Sequence, residues 1–126
     1  MAAVINHISP ALPAKDLPGT MQWYEQKLGF RKTFVYPHES PNYGAVSRDS
    51  AEIHFFQSEA DPKNNQFVVY MRVAGIDHLY DHCQQHGIVH PEGQLESKPW
   101  GQREFTVTDP NGSLLRFGEA DQLETE

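Results

Sequence analysis

"PWGQREFTVTDPNGSLLRF", from Pro99 to Phe117, decides the fold. Asp109-Pro110-Asn111-Gly112 interrupts two runs rich in β-branched and apolar residues. Proline presets φ and glycine accepts a positive one, so the tetrad reads as the turn of a hairpin joining "REFTVTD" to "SLLRFGE". A tryptophan, Trp100, leads this hairpin, set between a proline and a glycine.

Before the hairpin comes a short extended piece around Gly93 to Lys98, and before that "GIDHLYDHCQQHGI". This is a helix whose Ile76, Leu79, Tyr80 and Cys83 form one apolar stripe, closed by Gly87. "QFVVYMRV" precedes it as a strand. The same order stands earlier in the chain. An extended segment from Val4 to Ala14 leads into "KDLPGTMQWYEQKLGF", where Leu17, Met21, Tyr24 and Leu28 mark a helix opened by Asp16 and stopped by Gly29. Strands follow from Phe30, Asn42 and Ala51. The polar stretch Ser58 to Asn65 has the composition of a linker.

The expected architecture is therefore α+β: one domain over residues 1–126, made of two βαβββ modules at about 4–57 and 66–120, with a linker at about 58–65. A four-stranded sheet with a helix on its back must cover its front face. Two such modules can do so by curling around a shared cavity, so a pocket at their junction is expected.

Charge and composition exclude several classes of function. Ten Lys+Arg stand against seventeen Asp+Glu, a formal net charge of -7, and no basic cluster is available to meet nucleic-acid phosphates. Such a body draws cationic ligands or keeps the protein soluble. The acidic residues are scattered apart from the tail "GEADQLETE", Gly118 to Glu126. The single cysteine, Cys83, allows no intrachain disulfide. "MAAVINHISP" lacks the features of a secretory leader, and no apolar run approaches the roughly 20 residues of a membrane span. A cytoplasmic protein with no membrane or nucleic-acid partner is expected.

The paired modules, with "WYEQKLGF" in the first and "PWGQREFTVTDPNGSLLRF" in the second, resemble the glyoxalase, bleomycin-resistance and extradiol-dioxygenase superfamily, the vicinal oxygen chelate proteins. The resemblance runs from about Ile5 to Glu119. It implies that enzymes of this kind hold a divalent metal with one side chain from each of four strands. The corresponding positions here fall at about Ser9, His54, Val68 and Arg116. Valine offers no lone pair and arginine repels a cation, so the set is incomplete. A slip of two residues brings in His7, Glu52, Gln66 and Leu114 or Gly118, and a slip of one brings in Glu119; neither completes it.

The resemblance is nearest to the bleomycin-resistance branch, through Trp100-Gly101, the Asp109-to-Gly112 turn and Ile53-His54-Phe55-Phe56. It implies a non-catalytic homodimer without a cofactor, sequestering a planar, cationic, antibiotic-like ligand such as bleomycin in a groove between subunits. The alternative is a metal-dependent lyase, glutathione or thiol transferase, or dioxygenase, using His7, Glu52, His54 or Glu119 to hold Fe, Ni, Zn or Mn.

Individual residues sharpen the binding reading. Trp100 can stack on a planar heterocycle or lie over a cation, worth roughly 0.5–2 kcal/mol, or pack against a partner subunit. Glu52, His54 and Phe56 share one strand face, opposite Ile53 and Phe55. Arg116, between Leu115 and Phe117, faces away from both and on burial needs a partner such as Glu52, Glu104 or an anionic ligand group. Phe34, Tyr36 and His38 alternate along the second strand, and Phe34, Tyr36, Phe56 and Trp100 are expected to line an aromatic slot. His78, His82 and His86 recur every four residues opposite the apolar stripe, on a solvated helix face.

Overall fold

The computed structural model describes residues 2–121, so Met1 and residues 122–126 of the acidic tail lie outside it. The chain divides into two compact units between Ala60 and Asp61.

The first unit holds β1 (Ala11–Ala14), α1 (Leu17–Leu28), β2 (Arg31–Tyr36), β3 (Tyr43–Arg48) and β4 (Ala51–Gln57). Its sheet runs β1-β4-β3-β2, with β1 parallel to β4 and the remaining pairs antiparallel. Asp16 caps α1 by accepting the Gly19 N–H at 3.1 Å, and Gly29 ends the helix in the left-handed region. Leu17, Met21, Tyr24 and Leu28 are buried, as are Leu12, Val46, Ile53 and Phe55. The Tyr24 ring meets Phe30 and Phe55, with centroids 5.7 and 4.9 Å away.

The second unit repeats the order with β5 (Val68–Arg72), α2 (Ile76–Gln85), β6 (Glu96–Ser97), β7 (Gln102–Thr108) and β8 (Leu114–Ala120). Its sheet order, β5-β8-β7-β6, is the same as in the first unit, with the same parallel first-to-fourth pairing. Both expected βαβββ modules are therefore present. Ile76 and Cys83 of the α2 stripe are buried, Leu79 and Tyr80 half-buried. Phe105, Val107, Leu115 and Phe117 form the buried face of the sheet.

The β7–β8 turn is built as its residues dictate. The buried Asp109 accepts the Asn111 and Ser113 N–H groups on Oδ1 at 2.8 and 3.0 Å, and Gly112 takes φ 86°. Asn65 of the linker donates to Asn111 O and Ser113 Oγ, both at 2.8 Å. The second half of the linker thus forms a 3-10 turn, Pro62–Asn64, and docks on this hairpin rather than hanging free.

Two expectations need correction. The extended segment from Val4 yields strand only from Ala11. Pro10 has no N–H to give the ladder, its carbonyl alone bonding His54 N at 2.9 Å, and residues 2–8 are exposed. His38 lies beyond the end of β2, exposed, and does not continue the alternation of Phe34 and Tyr36.

Candidate functional site

In the first unit, pairing places Ala45 and His54 side by side, with Phe34 against Ala45 and Ala11 against His54. The His54 ring is held from both ends. Its Nε2 lies 2.7 Å from Glu52 Oε2, and its Nδ1 lies 2.8 Å from the Tyr43 hydroxyl. Because an ionised Glu52 can only accept, Nε2 carries hydrogen, and in the neutral ring Nδ1 accepts from Tyr43. Phe34 stands edge-on to His54 at 5.9 Å and stacks on Tyr43 at 6.2 Å. Tyr36 pairs with Tyr43 and is exposed, and Phe56 is half-buried opposite the same tyrosine.

In the second unit the centre is Glu104, only 4% exposed. Its Oε2 accepts the Trp100 indole N–H and the Tyr70 hydroxyl, each at 2.9 Å. Trp100 is 65% exposed, so its ring is open to solvent while its nitrogen is anchored to a buried carboxylate. The turn carrying it is closed by Lys98 N–H to Gln102 O at 2.7 Å and Gly101 N–H to Lys98 O at 3.0 Å. Desolvation of the phenol, followed by its hydrogen bond to Glu104, holds the Tyr70 pKa above the ordinary tyrosine value. Gly118 makes room for this arrangement: a side chain there would collide with the Tyr70 hydroxyl.

Beside this cluster is a cavity of about 280 Å³, whose lining includes Glu92, Gln94, Trp100, Glu104, Thr106 and Arg116. Arg116 reaches the cavity as its strand position demands, but it pairs with neither Glu52 nor Glu104. Its Nε donates to Thr106 Oγ1 at 3.4 Å, and it has no carboxylate within 4 Å among the described residues. Glu104 was legible in the sequence only as an expected partner of Arg116. Tyr70 was not, because its part depends on Gly118, a neighbour on the adjacent strand.

The positions expected for metal ligands do not fit a metal. Register partners show Ala11 beside His54 and Tyr70 beside Arg116, each two residues beyond the counted Ser9 and Val68. Both His54 nitrogens are engaged. Glu119 accepts the Gly75 and Ile76 N–H groups at 3.3 and 3.0 Å, capping α2 where the chain offers no local side-chain cap. His7 is exposed outside any strand. No group of three or more His, Cys, Asp or Glu side chains is placed to share an ion among the described residues. His78 and His82 on α2 and His86 at its C-cap are exposed, the last two with ring centroids 4.3 Å apart.

Two four-stranded βαβββ units, one with a tethered tryptophan over a polar cavity, define a paired-module α+β protein with a ligand-sized site. Residues 4–117 match the family model of the Glyoxalase/Bleomycin resistance protein/Dioxygenase superfamily, and the chain belongs to that family. It is 30% identical over 125 residues to a bleomycin resistance protein of Geobacillus stearothermophilus, covering 86% of this chain and 92% of the relative. A crystal structure of a bleomycin resistance determinant encoded on the transposon Tn5 superposes with TM-score 0.79 at 25% identity, covering 94% of this chain and all of the other. A bleomycin-binding protein complexed with bleomycin shares the fold at TM-score 0.77 and 24% identity, over 93% of this chain and all of the other. No helix among the described residues is long and apolar enough to cross a membrane.

Proposed function

We propose that this protein binds and sequesters a planar, cationic, antibiotic-like small molecule without transforming it, and that the ligand is of the bleomycin type. The observation that carries this is Trp100: an open ring whose orientation is set by a buried carboxylate is a preorganised stacking surface. Glu92 and Glu104 offer a cationic group partners in a cavity that Lys98 and Arg116 also line, and the -7 net charge of the chain favours a cationic partner. The bleomycin resistance relative, matched over most of both chains, supports the ligand class. Sequestration requires no acid, base or metal. The donor set described above works against the alternative of a metal-dependent lyase, transferase or dioxygenase.

The working form we propose is a cytoplasmic homodimer with the ligand groove at the subunit interface. Val4, Ile5 and Ile8 are 77–87% exposed, and Phe34, Tyr36, Phe67 and Val68 are also open, apolar surface that a second copy can cover. Isothermal titration with bleomycin tests the reading, with sedimentation giving the stoichiometry. One saturable site per chain is expected, weakened about tenfold or more by Trp100→Ala. No binding into the micromolar range overturns the antibiotic assignment. One equivalent of tightly held Fe, Ni, Zn or Mn, lost in His54→Ala, overturns the metal-free reading.

A further inference from the structure

Two cations line the Trp100 cavity, and they differ in their surroundings. Lys98 is neutralised by Glu96, with Nζ to Oε2 at 2.6 Å. Arg116 has no carboxylate partner within 4 Å among the described residues. Its one hydrogen bond among them is from Nε to the Thr106 hydroxyl, and the buried acid of the same cavity, Glu104, has committed Oε2 to Trp100 and Tyr70. The terminal guanidinium nitrogens of this cavity-lining arginine therefore have no protein acceptor among the described residues. A half-buried guanidinium without an acidic partner among the described residues is a costly arrangement. The Thr106 contact engages the Nε edge, so the forked terminal edge remains for a ligand. The strand neighbour Thr106 is itself held firmly: His90 N–H bonds Thr106 O at 2.8 Å, and Thr106 N–H bonds Gly93 O at 2.9 Å.

Resting on the reading of this cavity as the ligand site, we propose that Arg116 is an anion-recognising arm. The preferred ligand then carries, beside the ring that meets Trp100 and the cationic group that meets the acidic lining, a carboxylate or a comparably strong acceptor for the guanidinium fork. The site selects an amphoteric aromatic, and a simple aromatic cation satisfies only part of it.

Three probes built on one ring isolate this arm: 4-amidinobenzoate carries both charges, benzamidine the positive one and benzoate the negative one. Titration calorimetry on the full chain is expected to show 4-amidinobenzoate binding about tenfold or more tighter than benzamidine, as a bidentate charge-assisted contact gives. Arg116→Gln is expected to abolish that preference while benzamidine binds as well as before or better. Arg116→Lys, which keeps the charge and loses the fork, is expected to retain part of it, and circular dichroism confirms that both variants fold. Benzamidine binding as tightly as 4-amidinobenzoate, or a preference that survives Arg116→Gln, overturns the anion arm while leaving the aromatic site standing. Failure of all three probes to bind overturns both.

Discussion

The two units share one topology and use it for different ends. By strand register, His54 of the first unit occupies the position equivalent to Arg116 of the second, Tyr43 that of Glu104, Ala45 that of Thr106 and Ala11 that of Tyr70. In the first unit the tyrosine and the histidine bond each other, and Glu52 completes the ring's partners, so the polar front face is closed upon itself. In the second unit the corresponding acid and arginine do not pair. The acid holds Trp100 and Tyr70, and the arginine is left facing a cavity. The two units thus share their core alternation, while the polar face of the first is satisfied by its own side chains and that of the second leaves Arg116 at a cavity.

The hairpin turns give the largest way to break this comparison. Asp109→Ala leaves two buried backbone N–H groups without their acceptor and is expected to cost about 3 kcal/mol by urea denaturation. The first unit's turn is two residues long, with Asp49 exposed at φ 52°. Asp49→Ala is expected to cost about 1 kcal/mol, the cost of placing alanine in the left-handed region. Equal effects would show that the two turns are held alike.

Helix capping sharpens it at a smaller scale. Asp16 caps α1 from the preceding residue, whereas Glu119 caps α2 from β8. Asp16→Ala and Glu119→Ala are each expected to lose about 1 kcal/mol. Hydrogen exchange separates them: Glu119→Ala should speed exchange at Ile76 and along β8 together, while the Asp16 variant affects the first turn of α1 alone.

The smallest effect is expected at the Asp77–Arg103 pair, joined by two hydrogen bonds of 3.0 and 2.8 Å on a largely exposed surface. Its bond to Arg103 holds Asp77 below the ordinary aspartate pKa. The stabilisation is therefore present above the unfolded-state value of about 3.8 and is lost as pH falls through the lower folded-state value. Thermal melts of wild type and Asp77→Asn should differ slightly at neutral pH and converge in strong acid. A difference that persists there would show that the pair is not its source.

The sequence by itself determined the element order, the duplication, the buried strand faces and the hairpin chemistry. Each is written in local spacing: helical period in Leu17 to Leu28, alternation through Ile53 to Phe56, and Asp-Pro-Asn-Gly at the turn. It also placed Trp100, His54 and Arg116 on their strands or turns. Their partners were decided only by the tertiary structure. Whether Arg116 meets Glu104, whether Glu119 serves a metal or a helix, and whether Tyr70 reaches the Glu104 carboxylate that holds Trp100 all depend on cross-strand register. A shift of two residues preserves every face but exchanges every neighbour, as Ala11 and Tyr70 replacing Ser9 and Val68 show. Periodicity records which side of a sheet a residue occupies, and hydrogen bonds across strands determine what it touches.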